Sequence, residues 1–191
     1  MTATLPSQLL YIAAQFAHTD EYKGIITAIN VKRNEDTITI ASTDGHRAFK
    51  VSFDVNEHYY MDEEEITIHA STFKKRIAKA RYVGISDNTA EFKDVKGAML
   101  SINPVVNVAG TYPSFNQIWP DNYTNNPTRP IAFNARYLAG FLNEVARFGV
   151  SGSVKMEVNM QTQPMQFSAT VEAFGDTFEA YYLLMPVQIR N

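Results

Sequence analysis

Cysteine is missing from the 191-residue chain. That excludes disulfide bridges, thiolate metal sites and cysteine nucleophiles, and it fits a reducing cytoplasm. No apolar run approaches the roughly 18 residues needed to cross a bilayer, so no membrane association is expected. The opening Met1-Thr2-Ala3-Thr4-Leu5-Pro6 lacks the basic start of a signal peptide, and a cytoplasmic location is the expectation. Histidine is sparse: His18, His46, His58 and His69 are scattered, with none at metal-ligand spacing. The acidic run Asp62-Glu63-Glu64-Glu65 reads as a solvated loop, because metal ligands must project to one point and nothing nearby supplies a second set. Asp44 and His46 are close enough to suggest a hydrolase pair. Yet Gly-x-Ser-x-Gly, Walker, Gly-x-Gly-x-x-Gly and His-Glu-x-x-His patterns are all absent. A binding protein without cofactor or metal is therefore expected, rather than an enzyme. With 20 acidic and 17 basic residues the net charge is −3, so nucleic-acid binding rests on a local concentration of Lys and Arg or on nothing.

What is present is an ordinary globular composition, 45% hydrophobic and 19% charged, in a chain long enough to bury a core without staples. It carries a repeat. Helix-start signals fall near Ser7, Ser71 and Asn134, a period of roughly 64 residues. Ser71 and Asn134 are N-cap residue types, and Pro6 suits the first turn of a helix. Short strand-like runs precede each start: Thr2–Leu5, Glu65–Ala70 and Pro130–Phe133. Three strand candidates follow each one: Gly24–Lys32, Thr37–Ala41 and His46–Phe53; then Val83–Ser86, Thr89–Lys93 and Ala98–Ile102, with an extra stretch Val105–Ala109; then Ser153–Asn159, Met165–Glu172 and Thr177–Leu184. Turn chemistry separates them, as at Asn34-Glu35-Asp36 and Gly175-Asp176. The expected fold class is α+β, built from three β-α-β-β-β units. Residues 1–122 hold two (1–55 and 64–120) and residues 129–191 the third, with linkers Val55–Glu64 and Asp121–Thr128.

The helix faces are read at 3.6-residue spacing. Helix one is expected to bury Leu9, Ile12, Ala13 and Phe16, leaving Ser7, Tyr11, Ala14 and His18 outward. A second helix would bury Phe73, Ile77 and Ala80, turning Lys75 and Lys79 away from the core with Lys74, Arg76 and Arg81 on its flanks. A third would bury Leu138, Phe141, Leu142 and Val145, with Arg136, Gly140, Asn143 and Arg147 outward. Acidic side chains are nearly absent from these outward faces. In a net-acidic chain such segregation favours a phosphate-facing surface, although exposed Lys and Arg also serve plain solubility.

Three short stretches complete the reading. Thr43-Asp44-Gly45-His46-Arg47-Ala48-Phe49 places an Asp-Gly turn between two alternating strands. Tyr112-Pro113-Ser114-Phe115-Asn116-Gln117-Ile118-Trp119-Pro120 is an aromatic segment bracketed by proline. The apolar run Tyr182–Ile189 includes Met185-Pro186 and needs a surface to lie on. In this order and near this spacing they resemble the bacterial DNA polymerase III beta sliding clamp, in a shortened version that lacks the usual first domain. The resemblance implies a DNA clamp fold, one full clamp domain plus a half domain, with helices inside and sheets outside a ring. It implies a processivity factor that encircles double-stranded DNA through its phosphate backbone, with Lys74, Lys75, Lys79, Arg136 and Arg147 facing the DNA. It also implies a pocket in which short linear motifs of DNA polymerase and clamp loader dock. Carried over by position, its walls are Thr43, Gly45, His46, Arg47 and Ala48, with Pro113, Gln117 and Ile118 opposite. Leu183, Leu184, Met185, Pro186, Val187 and Gln188 form the tail side, with Tyr22 or Lys23 at the rim. Leu183, Leu184 and Met185 could instead simply finish the core of the last strand. Gln188 removes a charge that the family often has in a Met-Arg-Leu ending. Sliding clamps close from twelve such units, so three per chain imply a homo-tetramer, joined head to tail at its exposed strand edges. The alternative is a non-sliding clamp-like module that binds polymerase or loader peptides, or antagonises a host clamp.

Overall fold

The computed structural model describes residues 3–115, 131–158, 163–173 and 175–187. Strand β1 (Ala3–Pro6) leads into helix α1 (Ser7–Ala14), a 3-10 segment (Glu21–Thr27), and strands β2 (Ala28–Asn34), β3 (Thr37–Thr43) and β4 (Arg47–Asp54). After the two-residue β5 (Tyr60–Met61) come β6 (Glu65–His69), a 3-10 turn (Ala70–Thr72), β7 (Tyr82–Ile85), β8 (Thr89–Lys93) and β9 (Met99–Pro104). Helix α2 (Ala135–Phe148) then precedes β10 (Lys155–Glu157), β11 (Met165–Ala173) and β12 (Asp176–Leu184). The first two repeats thus run strand, helical segment, three strands, and the third runs helix, three strands among the described residues.

Two antiparallel sheets result, one of five strands in the order β5-β1-β7-β8-β9 and one of seven in the order β10-β11-β12-β4-β3-β2-β6. The first two repeats exchange their leading strands. β1 pairs with β7 of the second repeat, and β6 pairs with β2 of the first. The third repeat joins the first through β12 and β4, Arg47 standing opposite Leu184 and Val51 opposite Ala180. Ile38, Ile40, Phe49 and Val51 point to one face of the seven-stranded sheet and are buried beneath the helices, whereas Lys50 and Ser52 alternate to the other. Phe16 stacks on Phe49 at 5.3 Å, and Phe141 of α2 stacks on Tyr182 at 4.6 Å, so both helices cover the same face.

The helices depart from expectation in specific ways. α1 buries Leu9, Ile12 and Ala13 as read, but Ser7 and Ala14 are buried too rather than outward. The Ser7 amide donates to Arg81 O and its hydroxyl to Ala80 O, which draws the start of the helix onto the second repeat. The second helix does not form. Ser71 lies in a 3-10 turn and residues 73–80 run as turns and bends, with Phe73 and Ala80 still buried and Lys79 at φ 67°. α2 starts where expected, Asn134 accepting from the Arg136 amide at 3.0 Å. It buries Phe141, Val145 and Phe148, whereas Leu142 is exposed. Of the strand expected over residues 130–133, the described part contributes an isolated bridge from Ala132 to Val187. The extra stretch 105–109 is no strand but lies along β6, Asn107 bridging Ile68. The Asp121–Thr128 linker lies outside the described residues. Among the described residues no helix is long and apolar enough to cross a membrane, and no His, Asp and Glu cluster could hold a metal.

Candidate functional site

Two places gather the residues singled out above. The first lies where α1, the 73–80 turn segment and the C-terminal end of α2 meet. Lys75, Arg76 and Lys79 line one small cleft with Gln8 and Tyr11 of α1. Arg147 donates to the Tyr11 hydroxyl at 3.2 Å, and its guanidinium lies 5.5 Å from the Phe148 ring. Arg76 lies 5.1 Å from the same ring. Two separate stretches of chain, the turn segment and α2, therefore bring four cations near the Tyr11–Phe148 pair. The acidic group beside them is Glu144, 3.9 Å from Arg147. Burial raises its pKa above the ordinary carboxylate value, against the pull of Arg147 and Arg76. Lys74 is exposed on the same segment. Arg136 is exposed at the other end of α2, roughly 16 Å along the helix axis from Arg147, and is not part of the cluster. Arg76 and Tyr11 complete the cluster. The signal for them was spacing: Arg76 flanks the two lysines, and Tyr11 sits on the outward stripe of α1.

The second place is the joint between the first and third repeats. Gly45 turns the chain at φ 89°, and Asp44 Oδ1 accepts from the His46 and Arg47 amides at 3.0 Å each. Arg47 does not stand free at a rim. Its Nε meets Asp44 Oδ2 at 2.8 Å, its Nη2 reaches Gln15 O, and its guanidinium lies between the rings of Phe16 and Tyr137, at 5.0 and 5.1 Å. A side chain at Gly140 would come within 2.9 Å of Arg47 Nη1, so the glycine makes room for the cation. The guanidinium thus fastens the turn, the end of α1 and the start of α2 together.

Around that fastening the expected pocket residues sort onto two faces. Thr43, Ala48 and Leu183 stand directly opposite one another across β3, β4 and β12, in one buried row on the face away from the helices. Pro113 lines a groove on that same face, next to Ala41 and Lys50, the pair one step along. Leu184 is buried on the helix side, completing the core there. At the end of the row Gly45, His46, Met185 and Val187 are exposed, with Pro186 half-buried beside them. The Met185 amide donates to His46 O at 3.1 Å, which sets the tail beside the turn. His46 stacks on Tyr137 at 5.7 Å, and Ile26 lies 4.0 Å from where a Gly45 side chain would begin. Ile26 and Tyr137 thus extend the apolar surround, though neither belongs to a recognisable motif. Tyr22 is 98% exposed on the 3-10 segment that leads to Ile26. Gln117, Ile118 and Gln188 lie outside the described residues.

No protein-family model matches the sequence, and no curated protein matches it by sequence comparison. Solved structures do match. The DNA polymerase III subunit beta from Pseudomonas aeruginosa superposes with a TM-score of 0.68 at 14% identity, covering 99% of this chain and 67% of that one. The H. pylori beta clamp gives 0.69 at 10% identity over 98% of this chain and 66% of that one. The DNA polymerase III beta chain from Streptococcus pneumoniae gives 0.61 at 14% identity over 99% and 65%. The chain thus spans about two thirds of the length of these structures, and its fold is that of the bacterial DNA polymerase III beta sliding clamp.

Proposed function

We propose that the protein is a DNA sliding clamp, a processivity factor that surrounds duplex DNA as a homo-oligomeric ring and tethers polymerase and clamp loader through short peptides. The observation that carries this reading is the convergence of Lys75, Arg76, Lys79 and Arg147 on the helix side of the molecule, in a chain of net charge −3. Phosphate attraction needs positive charge and little else. Flexible lysines that reach the backbone, without committed contacts to base edges, hold DNA without fixing a register, and sliding follows. Lys74 and Arg136, both exposed, would add positive charge. Residues 1–122 would act as one clamp domain and residues 129–191 as a half domain, so four chains supply the twelve units of a ring. Partner peptides would dock on the row Thr43, Ala48 and Leu183, with Pro113 at one side and His46 and Met185 at the open end. The joint gives apolar sockets with a few polar groups, the anatomy of a small peptide site.

Loading on closed circular DNA tests the proposal: the protein should stay on the circle and leave when the DNA is linearised. The double variant Lys75→Glu/Lys79→Glu should weaken association and flatten its salt dependence by about two counterions. Unchanged affinity and slope would refute a DNA-facing cluster. Equal loss from circles and linear DNA would favour a non-sliding module that keeps the peptide site. One observation supports that second reading: Gly45, His46, Met185 and Val187 are exposed together within a single chain.

A further inference from the structure

The cleft between α1 and the 73–80 segment is lined by Lys75, Arg76 and Lys79 and by no acidic residue. Its walls are tied together. The Ser7 hydroxyl and amide donate to Ala80 O and Arg81 O, so the lysine-bearing segment is fastened to the first turn of α1. That bond uses the one hydrogen of the Ser7 hydroxyl. The Gln8 side-chain amide is drawn toward the third repeat, donating to Glu172 O at 2.7 Å. Tyr11, one turn along α1 from Ser7, is the remaining uncharged polar side chain in the lining.

Tyr11 is braced from α2. Its ring meets Phe148 edge-on at 6.2 Å, and its hydroxyl oxygen accepts from Arg147 Nη1 at 3.2 Å. Arg147 is steadied in turn by the Phe148 ring at 5.5 Å and by Glu144 at 3.9 Å. A phenol oxygen carries one hydrogen, and no described residue accepts it. The guanidinium polarises that oxygen, which makes the remaining O–H a stronger donor toward an anion. A half-buried donor with a fixed direction therefore stands beside three cations.

We infer that the Tyr11 hydroxyl donates to a backbone phosphate oxygen of duplex DNA, and that Arg147 is the positioning residue that acts through it. The inference rests on the DNA-facing reading of this cluster and adds an uncharged contact to it. Phosphate suits the place because its oxygens accept several hydrogen bonds at once, so the phenol and the lysine ammonium groups can share one group. The two kinds of contact divide the work. A lysine is a point charge on a flexible stem and can follow a moving backbone. A phenol on a helix, braced by Arg147 and Phe148, has one direction and sets where the backbone passes. Carrying no charge, it releases no counterion, so its contribution does not vary with salt.

Binding of a short DNA duplex to the full chain, followed by fluorescence anisotropy over a series of chloride concentrations, tests this. Tyr11→Phe keeps the ring and its contact with Phe148 and removes the donor. Affinity should fall about tenfold at every salt concentration, with the slope of log affinity against log salt unchanged. Unchanged affinity would overturn the inference. So would a slope lowered by about one counterion, because Tyr11 would then only be holding Arg147 against the DNA. In an Arg147→Gln background the same change should cost about twofold, since the charge that polarises the hydroxyl is gone. An undiminished tenfold cost there would overturn the role given to Arg147. Replacing chloride by inorganic phosphate at equal ionic strength should leave the ratio between the parent and Tyr11→Phe as it was. A ratio that fell to one would assign the seat to free phosphate and overturn the DNA contact. If the parent protein binds no duplex, the clamp reading fails and takes this contact with it. If the parent binds and Tyr11→Phe binds equally well, the contact alone fails.

Discussion

β4 and β9 are the same strand twice, once covered and once bare. β4 carries Ala48, Lys50 and Ser52 on its outer face, and its free side is filled by β12. β9 carries Leu100 at a bulge, Ile102 and Pro104 there, and among the described residues no strand pairs with its free side. At the covered junction, apolar material lies within the chain's own core: Leu183 and Ala48 are buried, and Arg47, Tyr137 and Phe16 fasten the helix side. At the bare one, Leu100 and Ile102 are 42% and 53% exposed. The difference teaches that the covered junction is a template for what the bare one lacks.

Breaking the covered junction should cost most. Arg47→Ala leaves the Asp44 carboxylate, only 10% exposed, without its cation and empties the space between two rings. A loss of about 3 kcal/mol in denaturant unfolding is expected. The Leu100→Lys/Ile102→Lys change at the bare junction should act oppositely, leaving the unfolding free energy within about 0.5 kcal/mol. A large fall in monomer stability would mean that β9 is already part of a core. Tyr59→Phe probes a second tie of the third repeat. The Tyr59 hydroxyl and Arg81 share Asp176 at 2.8 and 3.1 Å, and burial, then the carboxylate, hold the phenol pKa well above its usual value. Removing the hydroxyl should cost about 1 kcal/mol, read by thermal melting. Glu144→Gln should have the smallest effect, and one that depends on pH. A carboxyl whose folded pKa is raised favours the folded state below its unfolded pKa and loses that stability as pH rises through the folded one. The amide should therefore stabilise slightly at neutral pH, with the gain vanishing in acid. A gain that grew in acid would show the Arg147 contact outweighing burial.

The strands were legible because alternation survives in them: Ile38, Ile40, Phe49, Val51 and Phe53 mark one face wherever they are met. The turn at Asp44-Gly45 was legible for the same local reason, since its hydrogen bonds are all within four residues. The second helix was misread because residues 71–80 have helical spacing without helical support. A helix of some ten residues is marginal alone, and here its end is held by Ser7, whose hydroxyl donates to Ala80 O and whose amide donates to Arg81 O, while Arg81 N donates to Lys93 O. The lysines stayed outward all the same, because burial of Phe73 and Ala80 fixes the segment's sides without requiring a helix. Arg47 was placed in the right motif but given the wrong surroundings. Its partners Gln15 and Tyr137 are 32 and 90 positions away, beyond the reach of any local pattern.

Native mass, measured by sedimentation across a wide concentration range, tests the closed ring most directly. Four chains of 21.5 kDa each should be found. A protein that remains a single chain at every concentration would contradict the ring and the encirclement of DNA together.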